Sequence, residues 1–294
     1  MGALVCKNIS KRYKDTKVLT DIDLTIEKGK IYGLIGRNGV GKTTLLSIMS
    51  AQNPPTKGEV TLDGEPVWEN AAALRRICFS RELNAMNGNM PNTVKVKEYL
   101  RMASFYYENW DKEMADRLVK KFGLDIKKQM IKLSKGMLSM VTIIVALASK
   151  AEYTFLDEPV AGLDVVARDD FYRLLIDEYA ESGRTFIIST HIIDEASDVF
   201  EEVVVLKSGK ILLKENTETL LSRAVHISGS KEEVDRISEG HTCYESGSTG
   251  RSKGVTVLLD EGQSLESGTN VNVQKMTLQQ LFVALCGGER DLNA

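Results

Sequence analysis

Long apolar runs are missing from this chain of 294 residues. The longest, from Val141 to Ala148, already contains Thr142. It falls far short of the roughly 18–20 residues that a membrane helix needs. The opening stretch MGALVCKNISKRYK has no apolar core of the kind a secretory leader carries. Met1-Gly2 begins like a myristoylation signal, but Cys6 and Lys7 stand where that signal wants Ser or Thr. Cysteines are few: Cys6, Cys78, Cys243 and Cys286 lie far apart with no C-x-x-C pair. They read as buried or inert thiols of a reducing compartment, not as disulfides or zinc ligands, so a cytoplasmic location is expected. An excess of one charge is also lacking. With 38 basic and 41 acidic residues the formal charge is -3, which provides no general attraction to nucleic acid or anionic lipid. What remains, 43% apolar and 27% charged with five prolines, suits a globular chain able to bury one large core or two smaller ones.

Against that ordinary background one stretch names a ligand. Gly36-Arg37-Asn38-Gly39-Val40-Gly41-Lys42-Thr43-Thr44 fits G-x-x-x-x-G-K-[ST], the loop that cradles the phosphates of a nucleoside triphosphate. Ile31 to Ile35 before it is a short apolar run that reads as a buried strand, and Leu45 to Met49 after it continues in helical pattern. The glycines let consecutive N–H groups turn inward on anionic oxygens, and the start of the following helix adds its dipole. Lys42 is placed to reach the β- and γ-phosphates and the Thr43 hydroxyl to ligate Mg2+. Binding of ATP or GTP is expected.

Further segments narrow the class. Tyr153 to Leu156 followed by Asp157-Glu158-Pro159 reads as a core strand ending in two carboxylates. Asp157 can then hold Mg2+ through water, while Glu158 orients or deprotonates the attacking water. Leu133-Ser134-Lys135-Gly136-Met137 opens an apolar helical run with Ser134 as its N-cap. Here the sequence resembles the ATP-binding cassette (ABC) family, whose signature reads LSGGQ at this distance before the strand. The resemblance covers nearly all of residues 1–215.

By position, the resemblance implies that Ser134 and Gly136 contact the γ-phosphate of an ATP held by the phosphate loop of a second cassette. Lys135 and Met137 depart from the family's Gly and Gln. Ala161-Gly162-Leu163-Asp164 resembles the loop that crosses the dimer seam, with Asp164 on the nucleotide side. Thr190-His191, after the strand Arg184 to Ser189, resembles the switch whose histidine senses the γ-phosphate. Tyr13 resembles the aromatic platform for adenine, although by itself it reads equally as a strand tyrosine. At the family's Q-loop glutamine this chain has Glu82. A carboxylate can also ligate Mg2+. It brings a further negative charge towards Glu158 and the phosphates, which calls for a raised carboxyl pKa or a compensating charge.

The expected fold class is α/β: a P-loop nucleotide hydrolase of ABC type with a RecA-like core sheet, an antiparallel β subdomain and a helical subdomain over about 84–150. Alternation in residues 1–30 suggests half-buried antiparallel strands, and Val60 to Leu62 another strand. Helices are expected over Val94 to Tyr106, Asp111 to Phe122 and Leu138 to Ala148. The resemblance makes this helical block the groove for a cytoplasmic helix of a membrane subunit. Met86, Met90, Tyr99, Phe105, Tyr106, Tyr107 and Trp110 are candidate lining residues, or simply core. From about residue 216 the motifs end. Strand candidates at Val225 to Ile227, Gly254 to Leu259 and Val271 to Val273, with the loop SGSTGRSKG between them, suggest a small C-terminal α+β accessory domain over 216–294. Its closing helix, Met276 to Leu285, resembles that of ABC-2-type exporter ATPases.

The implied activity is ATP hydrolysis that powers export, of a peptide, drug or toxin, through separate membrane permease subunits on the inner face of the cell membrane. A second nucleotide-binding subunit, identical or homologous, would complete each ATP site. A cassette ATPase outside transport, or a nucleotide-binding regulator without turnover, is the alternative.

Overall fold

The computed structural model describes residues 2–83, 93–249, 252–260, 263 and 271–287. Strands β1 (Ala3–Tyr13) and β2 (Thr16–Glu27) form an antiparallel hairpin that buries alternate residues, among them Leu4, Cys6, Ile22, Leu24 and Ile26. That alternation is the mark of a sheet with one covered face. Strand β3 (Ile31–Ile35) leaves this sheet and is buried along its whole length. Helix α1 (Lys42–Met49) follows it. Strands β4 (Lys57–Leu62) and β5 (Glu65–Pro66) then return to complete the first sheet in the order β2-β1-β4-β5.

A second sheet carries the site. After the short helix α2 (Ala71–Leu74), strand β6 (Ile77–Arg81) joins its edge. Helices α3 (Val96–Tyr106), α4 (Lys112–Lys121) and α5 (Lys135–Ala148) come next, and then β7 (Tyr153–Asp157). Helix α6 (Val165–Ser182), strand β8 (Thr185–Thr190), the short helix α7 (Ile193–Ala196), β9 (Glu202–Lys207) and β10 (Lys210–Asn216) finish the unit. The order is β10-β9-β3-β8-β7-β6, parallel except for β10. Parallel strands covered on both faces read as continuous apolar runs, and β3, β7 and β8 have no exposed residue. Register sets Ile35 beside Thr190, Asp157 beside Ser189 and Arg81 beside Asp157. The loops that leave β3, β6, β7 and β8 therefore meet at one edge, where ligands bind in open α/β sheets.

The helical block has clear punctuation. Asp111 caps α4 by accepting from the Met114 N–H at 2.8 Å, and Gly123 follows its end with φ +60°. Helix α5 begins at Lys135, three residues before the expected Leu138, because Ser134 accepts from the Met137 N–H at 3.2 Å and caps it there. Met102, Phe105 and Tyr106 of α3 are exposed, whereas Tyr99 and Trp110 pack partly against the main core. Met86 and Met90 lie outside the described residues.

Beyond β10, helix α8 (Thr217–Arg223) leads into a third sheet of order β12-β13-β11-β14. It is built from β11 (Ala224–Ser230), β12 (Thr242–Thr249), β13 (Ser252–Leu258) and β14 (Val271–Lys275), with α9 (Lys231–Ser238) on one face. Ile227, Val234, Ile237, Val255 and Val257 give it a small core of its own. The closing helix α10 (Leu278–Gly287) does something different. Leu278, Leu281 and Leu285 join the main core, and Lys207 Nζ donates to the Leu285 carbonyl at 3.0 Å. All four cysteines are free thiols; Cys6, Cys78 and Cys286 are buried, and burial pushes Cys6 up to about 12.

Candidate active site

The phosphate loop occupies the turn between β3 and α1, as its composition requires. Gly41, the residue before α1, has φ +113°, and a Cβ there would stand 2.8 Å from Leu19 Cδ2. No other residue fits both the backbone and the space. Val18, Asn38, Gly39, Gly41, Lys42, Thr43, Thr44 and Glu158 line a cleft of about 470 Å³ at the start of α1. Lys42 is buried and donates to the Gly36 carbonyl at 2.7 Å, so its ammonium lies folded over the loop. Burial lowers its pKa, and the carboxylates of Glu158 and Asp157 oppose that shift. A buried cation beside an open cleft at the start of a helix is suited to a polyanion.

The acidic pair ends β7. Asp157 is buried, and Ser189 of the neighbouring strand donates to its Oδ1 at 2.5 Å. Glu158 takes a left-handed backbone, φ +51°, which turns its side chain out of strand alternation. Its N–H is held by the Ser189 carbonyl at 3.0 Å and by Ser189 Oγ at 3.3 Å. Glu158 Oε2 lies 2.6 Å from His191 Nδ1, the histidine that leaves the adjacent strand β8. The loop lysine, the carboxylate and the imidazole thus converge from three neighbouring strands. Ser189, which holds the Asp157 carboxylate and the Glu158 backbone, was not singled out from sequence; its place in the segment before His191 was the available signal. Val18 was likewise missed as a wall of the cleft.

Signature and seam loops meet on the same side of the molecule. A Cβ on Gly136 would come within 2.6 Å of the Gly162 carbonyl, so the head of α5 lies directly on the loop after Glu158. Ser139 fastens that contact by donating to the Ala161 carbonyl at 2.6 Å. Asp164 caps α6, accepting from the Ala167 N–H at 2.8 Å. Two residues do not line the cleft. Tyr13 ends β1, is about half exposed, accepts a hydrogen bond from Asn53 and has Lys11 Nζ 5.0 Å from its ring centre. Glu82 pairs with Lys135 at 3.0 Å. Thr43 and Asp157 are hard oxygen donors, and Mg2+ is commonly held by one or two carboxylates together with substrate phosphates; the donor set fits that ion.

A largely parallel sheet with a glycine-rich loop before a helix, a strand-end carboxylate pair and a histidine bonded to one of them at one edge defines the class: a P-loop nucleotide hydrolase. Residues 19–161 match the ABC transporter family model. The petrobactin import ATP-binding protein YclP of Bacillus subtilis (strain 168) is 30% identical over 228 residues, 74% of this chain and 89% of that protein. The bacitracin transport ATP-binding protein BcrA of Enterococcus faecalis is 30% identical over 220 residues, 74% of this chain and 70% of its own length. A dimeric ATP-binding cassette solved in a post-hydrolysis state with ADP and Pi superposes with a TM-score of 0.63 at 24% identity, covering 73% of this chain and 98% of that one. The chain belongs to the ABC transporter family and carries its ATPase domain.

Proposed function

We propose that this chain is the ATP-hydrolysing subunit of an exporter whose membrane-spanning parts are separate permease subunits. The observation that carries the chemistry is Glu158: held 2.6 Å from His191, it lines the same cleft as Lys42 and Thr43. In this reading the loop N–H groups and Lys42 grip the triphosphate of ATP, and Tyr13 offers its ring to the adenine. Thr43 and Asp157 would hold Mg2+, which would supply positive charge to offset the charge of the triphosphate. Glu158 orients the attacking water and draws off its proton, while His191 fixes the carboxylate and senses the γ-phosphate. Ser134 and Gly136 serve the ATP of a second cassette, and Asp164 lies along the seam between them. ATP thereby joins two chains, and hydrolysis parts them. A regulator without turnover would have no use for a carboxylate positioned in this way.

Among the described residues no helix is long and apolar enough to cross a membrane. Separate permeases account for the work, docking on the exposed side chains of α3 from the cytoplasmic face. Similarity to the bacitracin transport protein and the ABC-2-type closing helix favour export of a peptide, drug or toxin. We place the cassette in residues 1–215 and an accessory domain from 216. The test is purification of the tagged chain from its native membrane, with identification of what accompanies it. A multi-span hydrophobic protein is expected; ribosomal proteins alone would overturn the transport reading.

A further inference from the structure

Two residues of this chain depart from the family's pattern at positions that serve different ATP molecules: Glu82 in the loop after β6, and Lys135 in the signature. They lie 53 residues apart in the chain, yet Lys135 Nζ is 3.0 Å from Glu82 Oε1. We propose that Lys135 is a positioning residue for Glu82, acting as its built-in counter-ion, so that the two departures operate as one unit. The inference rests on the ATPase reading above.

The geometry shows why each needs the other. Glu82 immediately follows Arg81, which is in register with Asp157, so it enters the edge where Asp157 and Glu158 already stand. A third carboxylate there opposes the approach of a triphosphate. Lys42 cannot neutralise it as well, being folded onto the Gly36 carbonyl on the far side of β8. Lys135 has the converse difficulty. It is the first residue of α5, whose first turn holds no acidic side chain, and a cation at that end opposes the helix dipole. Glu82 supplies the missing carboxylate. The lysine stem is guided towards it by Gly162, where a Cβ would come within 2.8 Å of Lys135 Cγ. The gap that the glycine leaves is filled by the stem. The pair therefore spans three loops: the one after β6, the signature and the seam loop.

Both side chains are about half exposed, so the pair has the strength of a surface ion pair, not of a buried one. The experiment is a double-mutant cycle of Glu82→Gln, Lys135→Gln and the double variant, read by equilibrium titration with a fluorescent ATP analogue, with Mg2+ and with EDTA. Lys135→Gln alone should weaken binding about three- to fivefold at low salt. The same substitution beside Glu82→Gln should leave affinity unchanged, and the coupling should vanish near 1 M salt, where the screening length is about 3 Å. An equal loss in both backgrounds, or none with Glu82 in place, overturns the proposal. A nucleotide-free readout stands beside it: amide exchange over residues 79–83 should quicken equally in both single variants and the double. Unchanged exchange would also overturn it. Failure of the ATP reading itself would show separately, as undiminished binding by Lys42→Ala.

Discussion

The head of the signature helix packs backbone against backbone on the loop after Glu158, and Gly136→Ala tests that contact. A Cβ at 136 would stand 2.6 Å from the Gly162 carbonyl oxygen and 3.4 Å from its carbon. Carbon–oxygen contacts of this kind settle near about 3.3–3.6 Å, so something must move by roughly 0.7–1 Å. Gly162 cannot yield easily, since Ser139 holds the preceding Ala161 carbonyl and Leu163 N–H is bonded to Val160. The N-terminal turn of α5 must therefore lift, at a cost of about 1–3 kcal/mol for overpacking. In a chain of this size that lowers the melting temperature by roughly 2–10 °C. The larger effect falls on turnover. On the proposed reading Gly136 meets the reacting phosphate of a second cassette's ATP, and a misplacement of about 1 Å at such a group costs on the order of 100-fold. Binding of ATP to the chain's own phosphate loop should fall by no more than about fivefold, because Gly136 does not line that cleft and only the surface pair of Lys135 with Glu82 is disturbed beside it. Steady-state hydrolysis and equilibrium titration on one preparation separate the two. Parental turnover in Gly136→Ala refutes the reasoning, and so does a loss of affinity as large as the loss of rate.

Other expectations follow from single contacts. Lys42→Ala removes a buried cation from the cleft and should weaken ATP binding at least tenfold, the scale of a lost charge-assisted hydrogen bond, as measured by titration. Asp111→Ala uncaps α4 and should cost about 1 kcal/mol in denaturant unfolding, with no change in nucleotide affinity. Glu152 is held below the ordinary carboxyl value of 4.5, first by its hydrogen bonds to the Arg76 guanidinium and also by Lys28, against the opposing effect of burial. Its folded pKa lies below its unfolded one, so its stabilisation is complete above the unfolded value and is lost as pH falls through the folded one. Glu152→Gln should therefore melt lower than the parent at pH 7, with the difference vanishing in acid; a gap that persists below the folded value contradicts the pairing.

Much of this site can be read in the residue order because local chemistry specifies it. A glycine–lysine–threonine loop after an apolar run, and Asp-Glu-Pro after another, can be placed without knowing the sheet order. The bond between Glu158 and His191 is different, since only adjacency of β7 and β8 brings the two together. The same holds for Glu82 and Lys135. The need for a compensating charge is visible in the sequence, but the identity of its source depends on how α5 lies against β6. In the C-terminal third, the stretch SGSTGRSKG reads as a loop. The structure extends β12 to Thr249 and begins β13 at Ser252, because antiparallel backbone bonding makes few demands on side chains. Helix α9 and strand β12 were not anticipated, although Val234 and Ile237 of α9 stand at helical spacing on its buried face. The apolar face of α10 is plain in Leu278, Leu281 and Leu285; that it packs on the main core and not on its own sheet is a tertiary fact.

The shared-seam mechanism stands or falls on a single observation of mass. Glu158→Gln, loaded with ATP and supplied with its membrane partners if it requires them, should hydrolyse nothing and sediment as two cassettes joined, reverting to single chains when ATP is withdrawn. A Glu158→Gln protein that binds ATP but keeps the mass of one cassette under those conditions contradicts it.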